Sequence, residues 1–230
     1  MINQNIKIAV DAIVFGYEKN VLYVLAVQQK YGVFKDRWVL PGGFIKDDES
    51  LIDAVKRELQ EEAGIRVNYL EQLSTFGDEV NRDSRGRVIS VAYFALVNPQ
   101  NFMLKADTDA KDARWFPVDE IPVLGYDHNE MVKLAHQRLK AKLTYQPIGF
   151  DLLDNEFLFS DLENLYCSIL ERDIDRRNFR KKILSFGIIT ETDRMVKTSS
   201  SGRPGKLFKF DKAKYDQLLQ EDFQFEIKFA

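Results

Sequence analysis

The feature that most constrains this chain is a set of glutamates at fixed spacing in the segment GFIKDDESLIDAVKRELQEEAGI, residues 43–65. Glu58, Glu61 and Glu62 stand at positions i, i+3 and i+4, so in a helix their carboxylates lie on one face. The apolar residues of the same stretch recur at helical spacing, and a glycine follows, which suits a helix end. The pattern predicts a helix over residues 50–63 with a carboxylate cluster on one side.

Carboxylates this close repel one another unless a cation lies among them. Because the cluster offers oxygen ligands and no Cys or His, we expect a hard divalent ion, Mg²⁺ or Mn²⁺. Such an ion keeps open positions for water and phosphate oxygens, which suits displacement at phosphorus. Arg57 could orient one carboxylate, and the glycine turn before the helix could bring the backbone carbonyl of Gly43 to the metal. The alternative is a solvated helix face with a chance run of glutamates.

The complete pattern resembles the Nudix box, G-x5-E-x7-R-E-U-x-E-E-x-G-U, in which U is a large aliphatic residue. All nine specified positions match, and they are Gly43, Glu49, Arg57, Glu58, Leu59, Glu61, Glu62, Gly64 and Ile65. The resemblance implies an α/β/α sandwich that cleaves a nucleoside diphosphate linked to another moiety. It assigns metal binding to Glu58, Glu61 and Glu62. Glu49 and Arg57 would support them in catalysis, and one box glutamate, or a carboxylate on a later loop, would help to deprotonate the attacking water.

The segments around the box alternate between strand and helix patterns. Strand-like runs are expected at residues 7–15, 21–27, 38–40, 69–76, 88–97 and 113–118, and a further helix at residues 128–143. Mixed strands with a few helices indicate a sandwich of sheet and helices for residues 1–143. We therefore expect an α+β protein whose first domain is this sandwich.

Candidates for binding a ligand lie on either side of the box. Trp38 and Tyr126 could stack on a base, although a core position is an equal expectation for an aromatic side chain. The polar loop at residues 78–87 carries three arginines that could meet phosphates, and an ordinary exposed loop is the alternative. These arginines are Arg82, Arg85 and Arg87. Asp127 is expected to cap the helix that begins after it.

The second part of the chain, residues 144–230, reads as two helices followed by two short strands. Ser160 is predicted to cap the first helix, which runs to Leu170, with Glu163 as its capping-box partner. Asp175 is predicted to cap the second helix, and strands are expected at residues 188–190 and 207–210. Helix-turn-helix plus hairpin is the plan of a winged helix, whose second helix enters the major groove of DNA.

The second part also carries the positive charge of the chain. Residues 172–209 contain 11 Lys and Arg against 4 Asp and Glu, a net charge of +7. Because the whole chain has a net charge of −3, the remainder carries −10, so an acidic body adjoins a basic segment that suits DNA. The candidate DNA contacts are Arg176, Arg177, Arg180 and Lys181 on the helix and Arg203 at the hairpin tip. The alternative is a small basic domain that serves packing or dimerisation.

This order of domains resembles the Nudix-related transcriptional regulators of the NrtR type. The segments that carry the resemblance are WVLPGGF (38–44), RGRV (85–88), ARWF (113–116), YDH (126–128), PIGF (147–150) and DRRNFR (175–180). It implies a dimeric bacterial repressor, controlling NAD metabolism or sugar use, that senses ADP-ribose or a sugar and binds a palindromic operator. Two departures are a complete box, where many such regulators have a degenerate one, and a loop at 78–81 without the proline that ADP-ribose hydrolases often carry.

Composition narrows the cellular setting. The chain has one cysteine, Cys167, no run of about 20 apolar residues and no leader-like N-terminus, so we expect a cytoplasmic protein that does not enter membranes. Three functions remain open. The first is a DNA-binding regulator that senses, and with Mg²⁺ could hydrolyse, a nucleoside diphosphate derivative such as ADP-ribose. The others are a housekeeping Nudix pyrophosphohydrolase with an accessory C-terminal domain, and a sugar-sensing regulator without turnover.

Overall fold

The computed structural model divides the chain into two compact units, one up to Arg138 and the other from Leu139. The structure describes residues 5–104, 110–197, 204–221 and 223–230. The division falls inside a helix, five residues before the boundary that the sequence predicts. Within the described ranges, no helix has the length and apolar character that crossing a membrane requires.

A mixed sheet forms the centre of the first unit. Its strands in the described part of the chain are β1 (Lys7–Glu18), β2 (Val21–Gln29), β3 (Trp38–Val39), β4 (Gly42–Phe44), β5 (Tyr69–Phe76), β6 (Val88–Val97) and β7 (Ala110–Pro117). The main path runs β3-β2-β1-β6-β5, with β4 paired to β1 and β7 paired to β2. The central strands β1 and β6 are parallel and almost wholly buried, which explains their long apolar runs.

Helices cover both faces of this sheet. They are α1 (Leu51–Ala63) and α2 (His128–Tyr145). Side chains of β1 alternate between the two layers: Val10 belongs to the same buried cluster as Leu59 of α1, whereas the ring of Phe15 lies 6.3 Å from that of His136 on α2. The predicted α/β/α sandwich is therefore confirmed.

The ends of α1 follow the signals in its sequence. The Ser50 side chain accepts a hydrogen bond of 3.2 Å from the Asp53 N–H, and Gly64 takes a left-handed φ of 70° at the other end. Local capping chemistry thus fixes where the helix with the glutamates begins and stops, and with it the direction in which the carboxylates point.

The second unit contains a winged helix. Its elements are β8 (Phe157–Leu158), α3 (Phe159–Leu170), α4 (Arg176–Ser185), β9 (Ile189–Val196), β10 (Gly205–Phe210) and α5 (Lys212–Gln220). The three strands pair in the order β8-β10-β9. The predicted helix-turn-helix and hairpin are confirmed, while β8 and α5 were not predicted from the sequence.

One predicted helix start in this unit is wrong. Helix α3 begins at Phe159, and its N-cap is Leu158 rather than Ser160. The reason is the Asp161 carboxylate, which accepts a hydrogen bond of 2.9 Å from the Leu158 N–H and draws the helix start backwards. Glu163 is not part of a cap, since it pairs with Arg176.

A C-terminal segment, residues 223–230, holds the start of α4. The Asp175 N–H donates to the Lys228 carbonyl at 2.9 Å, and the Ala230 N–H donates to the Asp173 carbonyl at 3.1 Å. The Asp175 carboxylate accepts from the Asn178 N–H at 3.0 Å, so the predicted cap of α4 is confirmed. The helix is therefore fixed at its first turn by a cap and by a paired stretch of backbone.

Candidate functional site

Arg57 lies at the centre of the acidic cluster. Its guanidinium donates two hydrogen bonds to Glu49, at 2.6 and 2.9 Å. It also reaches Glu58 at 2.7 Å and Glu61 at 3.3 Å. A further bond of 3.2 Å to the Phe44 carbonyl ties the cluster to β4. The positive charge among these carboxylates thus comes from a side chain of the same helix. Arg57 contacts three carboxylates, whereas the sequence suggests that it orients one.

The electrostatics of the cluster differ from one carboxyl group to the next. Hydrogen bonds from Arg57 lower the pKa of Glu49 to about 2. Burial raises the pKa of Glu58 even though Arg57 opposes that change. The carboxylates in turn raise the pKa of Arg57, chiefly through the hydrogen bonds that it donates to Glu49. An additional cation near Glu58 would therefore stabilise the ionised form of this carboxyl group.

The chemistry of the box residues fits a hard divalent ion, although the cluster is not assembled as a metal site. Within the described residues, no three His, Cys, Asp or Glu side chains lie where they could hold a metal ion. Glu58 and Glu62 are buried, the Glu61 side chain is 41% exposed, and one Glu62 oxygen accepts the Gly42 N–H at 2.9 Å. The second oxygens of Glu58 and Glu61 accept no hydrogen bond from the described residues. The metal ligands thus stay a prediction.

Gly43 brings the backbone of β4 against the cluster. A Cβ atom at this position would lie 2.3 Å from a Glu58 carboxylate oxygen, so only glycine permits the approach. The neighbouring Gly42 is equally close to β1, where a Cβ would lie 2.3 Å from the Val10 carbonyl oxygen. These contacts bring the Gly43 backbone next to Glu58, and the role of its carbonyl as a metal ligand stays a prediction.

A polar cleft opens beside Gly43 of β4 and Glu62 of α1. Its polar and charged lining consists of Asp11, Gln29, Glu62, Arg82, Asp83, Arg85, Tyr126 and His128. Arg85 binds Asp83 at 2.7 Å, and its guanidinium lies 5.2 Å from the centre of the Tyr126 ring. Two arginines beside an aromatic ring suit the diphosphate and the flat base of a nucleotide. The structure thus brings three predicted ligand-binding residues together.

The other two predicted ligand-binding residues lie outside the cleft lining. Trp38 packs edge-on against Phe116, with ring centres 5.0 Å apart, and carries Arg114 over its face. Arg87 is half-buried and donates a hydrogen bond to the Glu79 carbonyl at 3.4 Å. Trp38 is half-buried and lies outside the buried core cluster, and Arg87 is half-buried beside the loop, so the ligand-binding role of both residues stays a prediction.

Arg82 is held by a residue that was expected only to cap a helix. It forms two hydrogen bonds with Asp127, at 2.8 and 2.5 Å. Burial opposes the charge of Arg82, but the bond and the charge of Asp127 outweigh burial and raise its pKa. The α2 start instead uses the Asp127 carbonyl, which accepts from Glu130 and Met131. A carboxylate directly after Tyr126, in a chain with an arginine-rich loop, could have been suspected of pairing with that loop.

Sequence reasoning missed a buried polar network at the floor of the cleft. The Ser90 hydroxyl donates to Asp11, and the His128 Nε2 lies 3.4 Å from the other Asp11 oxygen. The Leu40 N–H donates to His128 Nδ1 at 2.8 Å, so Nε2 carries the ring proton. Burial lowers the pKa of His128 and keeps it neutral. The available signal was Asp11, the only charged residue in the apolar run from Ile8 to Phe15.

The predicted DNA-contacting residues fall into three environments. Arg177 and Lys181 are exposed on α4 and form no ion pair with the described residues. Arg180 lies over the Phe159 ring, 4.4 Å from its centre, and Arg176 pairs with Glu163 of α3 at 3.2 Å. Arg203 lies outside the described residues. The exposed cationic row of α4 is thus formed by Arg177 and Lys181, one helical turn apart.

Two known families match this chain. Residues 5–137 match the NUDIX domain, and residues 149–210 match the NrtR DNA-binding winged helix domain. The two matches follow one another without overlap and correspond to the sandwich and the winged helix.

Two similar proteins cover both parts, and a structure of one of them covers the sandwich alone. The ADPR responsive transcriptional repressor NtrR of Acinetobacter baylyi is 30% identical over 211 residues, which span 90% of this chain and 83% of the relative. The structure of Shewanella oneidensis NrtR in complex with a 27mer DNA superposes with a TM-score of 0.79 at 28% identity, covering 96% of this chain and 98% of that one. The NUDIX domain of the same protein with ADP ribose is 36% identical, with a TM-score of 0.55, over 60% of this chain and 90% of that one.

Proposed function

From the premise that this chain belongs to the NUDIX family and carries an NrtR-type winged helix, we propose that it is a transcriptional repressor that senses ADP-ribose. Its membership follows from the NUDIX match, which covers more than half of the chain, and from a relative aligned over most of both lengths. The proposal treats the sandwich as the sensor and the winged helix as the part that binds the operator.

The observation that carries the proposal is the exposed cationic row on α4. A winged helix reads DNA by placing the second helix of its helix-turn-helix in the major groove. Arg177 and Lys181 occupy the side of that helix opposite the buried Phe179 and Ile183. A solvated basic face alone would be unremarkable in a protein, but here it belongs to the element that the fold uses for recognition.

The cleft of the sandwich supports a nucleotide effector. Arg82 and Arg85 are both held by carboxylates, so their guanidinium groups are positioned before a ligand arrives, which lowers the entropic cost of binding a diphosphate. Tyr126 adds an aromatic face. The relatives named for ADP-ribose make that molecule the effector we propose, even though the loop at 78–81 lacks the proline considered above.

Hydrolysis is the second activity that a specific observation favours, because the box is complete. Glu58, Glu61 and Glu62, with the Gly43 carbonyl, would hold Mg²⁺ or Mn²⁺, which would polarise a phosphate oxygen and activate water. Glu49 would keep Arg57 in place beside them. A housekeeping hydrolase is disfavoured, since the repressor of A. baylyi aligns with both domains and not with the sandwich alone. A sugar as effector has no support from the named relatives.

Assembly and location complete the proposal. A symmetric dimer would present two copies of α4 to the two halves of a palindromic operator. As a regulator of bacterial genes, the protein would act in the cytoplasm, where a single cysteine stays reduced.

A mobility-shift experiment tests the repressor function. The wild-type chain is expected to bind the DNA upstream of its own operon, and Arg177→Glu is expected to weaken binding by roughly 100-fold, since it removes one phosphate or base contact and adds a repelling charge. Lys133→Glu, the same charge reversal at an exposed position of α2, is the matched control and should bind like the wild type. Equal affinities for Arg177→Glu and the control would contradict the proposal.

A further inference from the structure

The winged-helix unit contains a cavity that none of the functions above uses. It has a volume of about 300 Å³ and lies between α4 and the C-terminal segment. Its floor is apolar, because the rings of Phe179 and Phe225 are both buried there. Its rim is polar and includes Lys181, Lys182 and Lys228.

The charge of the rim favours an anion. Three lysines face one carboxylate, Glu226, so the cavity has a net charge of +2. None of these lysines forms an ion pair with the described residues, whereas five other lysines of the chain do, namely Lys19, Lys111, Lys140, Lys206 and Lys212. The aromatic floor offers no hydrogen-bonding atoms, so an anion would be held at the rim by ammonium groups.

The backbone that carries Lys228 is fixed in position before anything binds. The Lys228 carbonyl accepts the Asp175 N–H, and residues Ile174 and Phe229 form a β-bridge on either side of that bond. The backbone of Lys228 is thus attached to the N-cap of α4. Its side chain therefore starts next to the helix, and only its own rotamers have to be ordered when an anion binds.

The position of the cavity on the helix identifies the anion. Phe179 and Ile183 mark the buried side of α4, and Lys181 is central on the opposite side. Lys182 lies on the flank that faces the C-terminal segment. When a helix occupies the major groove, which is about 12 Å wide, the two phosphate backbones run along its flanks. Lys181 belongs to both the groove-facing row and the cavity rim, so a ligand of the rim must lie beside the groove.

We propose that this cavity binds one phosphate of the operator backbone. Lys182, on the flank of α4, and Lys228, on the C-terminal segment, would contact that phosphate. The proposal rests on the proposed function and extends it. The C-terminal segment, which lies outside the match to the NrtR winged helix at residues 149–210, becomes part of the DNA-binding surface. Glu226 limits the affinity of this contact, because its charge opposes the phosphate.

Two substitutions with opposite expected effects test the proposal in the full-length chain. Lys228→Gln keeps the backbone bonds of the segment and should weaken operator binding about fivefold at roughly 0.15 M salt, because one counterion-releasing contact is lost. The slope of log affinity against log salt should become shallower by about 0.9. Glu226→Gln should instead tighten binding, by about two- to fivefold. Lys133→Gln on α2 is the control for loss of one positive charge.

The outcomes separate this site from the proposed function. If the wild type shows no operator binding, the repressor function fails. The phosphate site is refuted if the wild type binds the operator and Lys228→Gln binds it with the same affinity and the same salt slope. Circular dichroism must show that both proteins are folded. A calorimetric titration with ADP-ribose decides between sources of phosphate: its affinity should be unchanged in Lys228→Gln, and a loss confined to ADP-ribose would overturn the assignment to DNA.

Discussion

At the scale of single residues, the floor of the cleft depends on a histidine whose charge is set by burial. His128 is 3% exposed and accepts the Leu40 N–H, which requires an unprotonated Nδ1. Asp11 nearby favours the charged ring, yet desolvation is the larger effect and lowers the pKa of His128. The histidine is therefore neutral in the folded state at a pH where the unfolded chain would bind a proton.

The sign of this effect predicts how stability depends on pH. Because the folded-state pKa of His128 lies below the unfolded value of about 6.5, the unfolded state binds more protons below that pH, and the free energy of unfolding falls. The loss should reach at most about 1.4 kcal/mol per pH unit and should be absent in His128→Gln. Both tryptophans of the chain, Trp38 and Trp115, belong to the first unit, so fluorescence-detected urea unfolding measures it.

The other histidine provides the control. His136→Gln should keep the pH dependence of the wild type, because His136 contacts the Phe15 ring and is not part of the Asp11 network. If His128→Gln loses stability below pH 6.5 as steeply as the wild type does, the assignment to His128 is wrong.

At the scale of elements, the short strand β4 connects the sheet to the glutamates. It pairs with β1 on one side, and on the other its backbone touches the side chain of Glu58. A three-residue strand shows no periodicity in sequence, so only its two glycines marked it as unusual. Those glycines allow the sheet and the helix to approach closely enough for Arg57 to bond the Phe44 carbonyl.

Replacing each of these two glycines with alanine should lower the free energy of unfolding by different amounts. In Gly42→Ala the new methyl group meets the backbone of Val10 and Asp11, which cannot move without breaking the pairing of β4 with β1. We expect a loss of about 1–3 kcal/mol in the free energy of unfolding. Gly43→Ala meets the flexible end of Glu58 and should cost less while displacing that carboxylate. Urea unfolding of both variants checks the order, and a smaller loss for Gly42→Ala would contradict it.

At the scale of the whole molecule, the proposed function assigns sensing and DNA binding to different compact units. A ligand in one unit changes the DNA affinity of the other only if it binds differently to the free and the operator-bound protein. If the complete box is active, hydrolysis would remove the effector and so stop its influence on DNA binding. The molecule would then read the concentration of a metabolite and return to its starting state without a second protein.

Thermodynamic linkage makes this relation measurable. We expect ADP-ribose to weaken operator affinity by a factor between about 5 and 150, and operator DNA to weaken ADP-ribose affinity by the same factor. Titrations of the protein with each ligand, with and without saturating amounts of the other, give the two factors. Working without divalent ions keeps hydrolysis from removing the effector. Factors that differ beyond error, or that both equal one, would contradict the sensor model.

The sequence by itself determined the features that depend on residues close together in the chain. The i, i+3, i+4 spacing placed the glutamates on one helix face, Ser50 and Asp175 capped their helices, and the central strands followed from their apolar runs. Hydrogen bonds and side-chain directions over one or two turns are nearly the same in any fold, which is why these predictions were confirmed. The cap at Ser160 failed because Asp161 binds the Leu158 N–H, the function predicted for Glu163, and so moves the helix start two residues back.

Only the tertiary structure decided which distant side chains meet. Ser90 and Asp11 are 79 residues apart, His128 and Leu40 are 88 apart, and both pairs close on one cleft. The structure also placed Trp38 against Phe116 instead of in the cleft. Such pairs depend on strand order and on which face of a sheet each residue occupies, and neither is encoded in local spacing. The sequence could name the carboxylates, but the surroundings of each one, and hence its charge, arose only when the sheet and helices packed together.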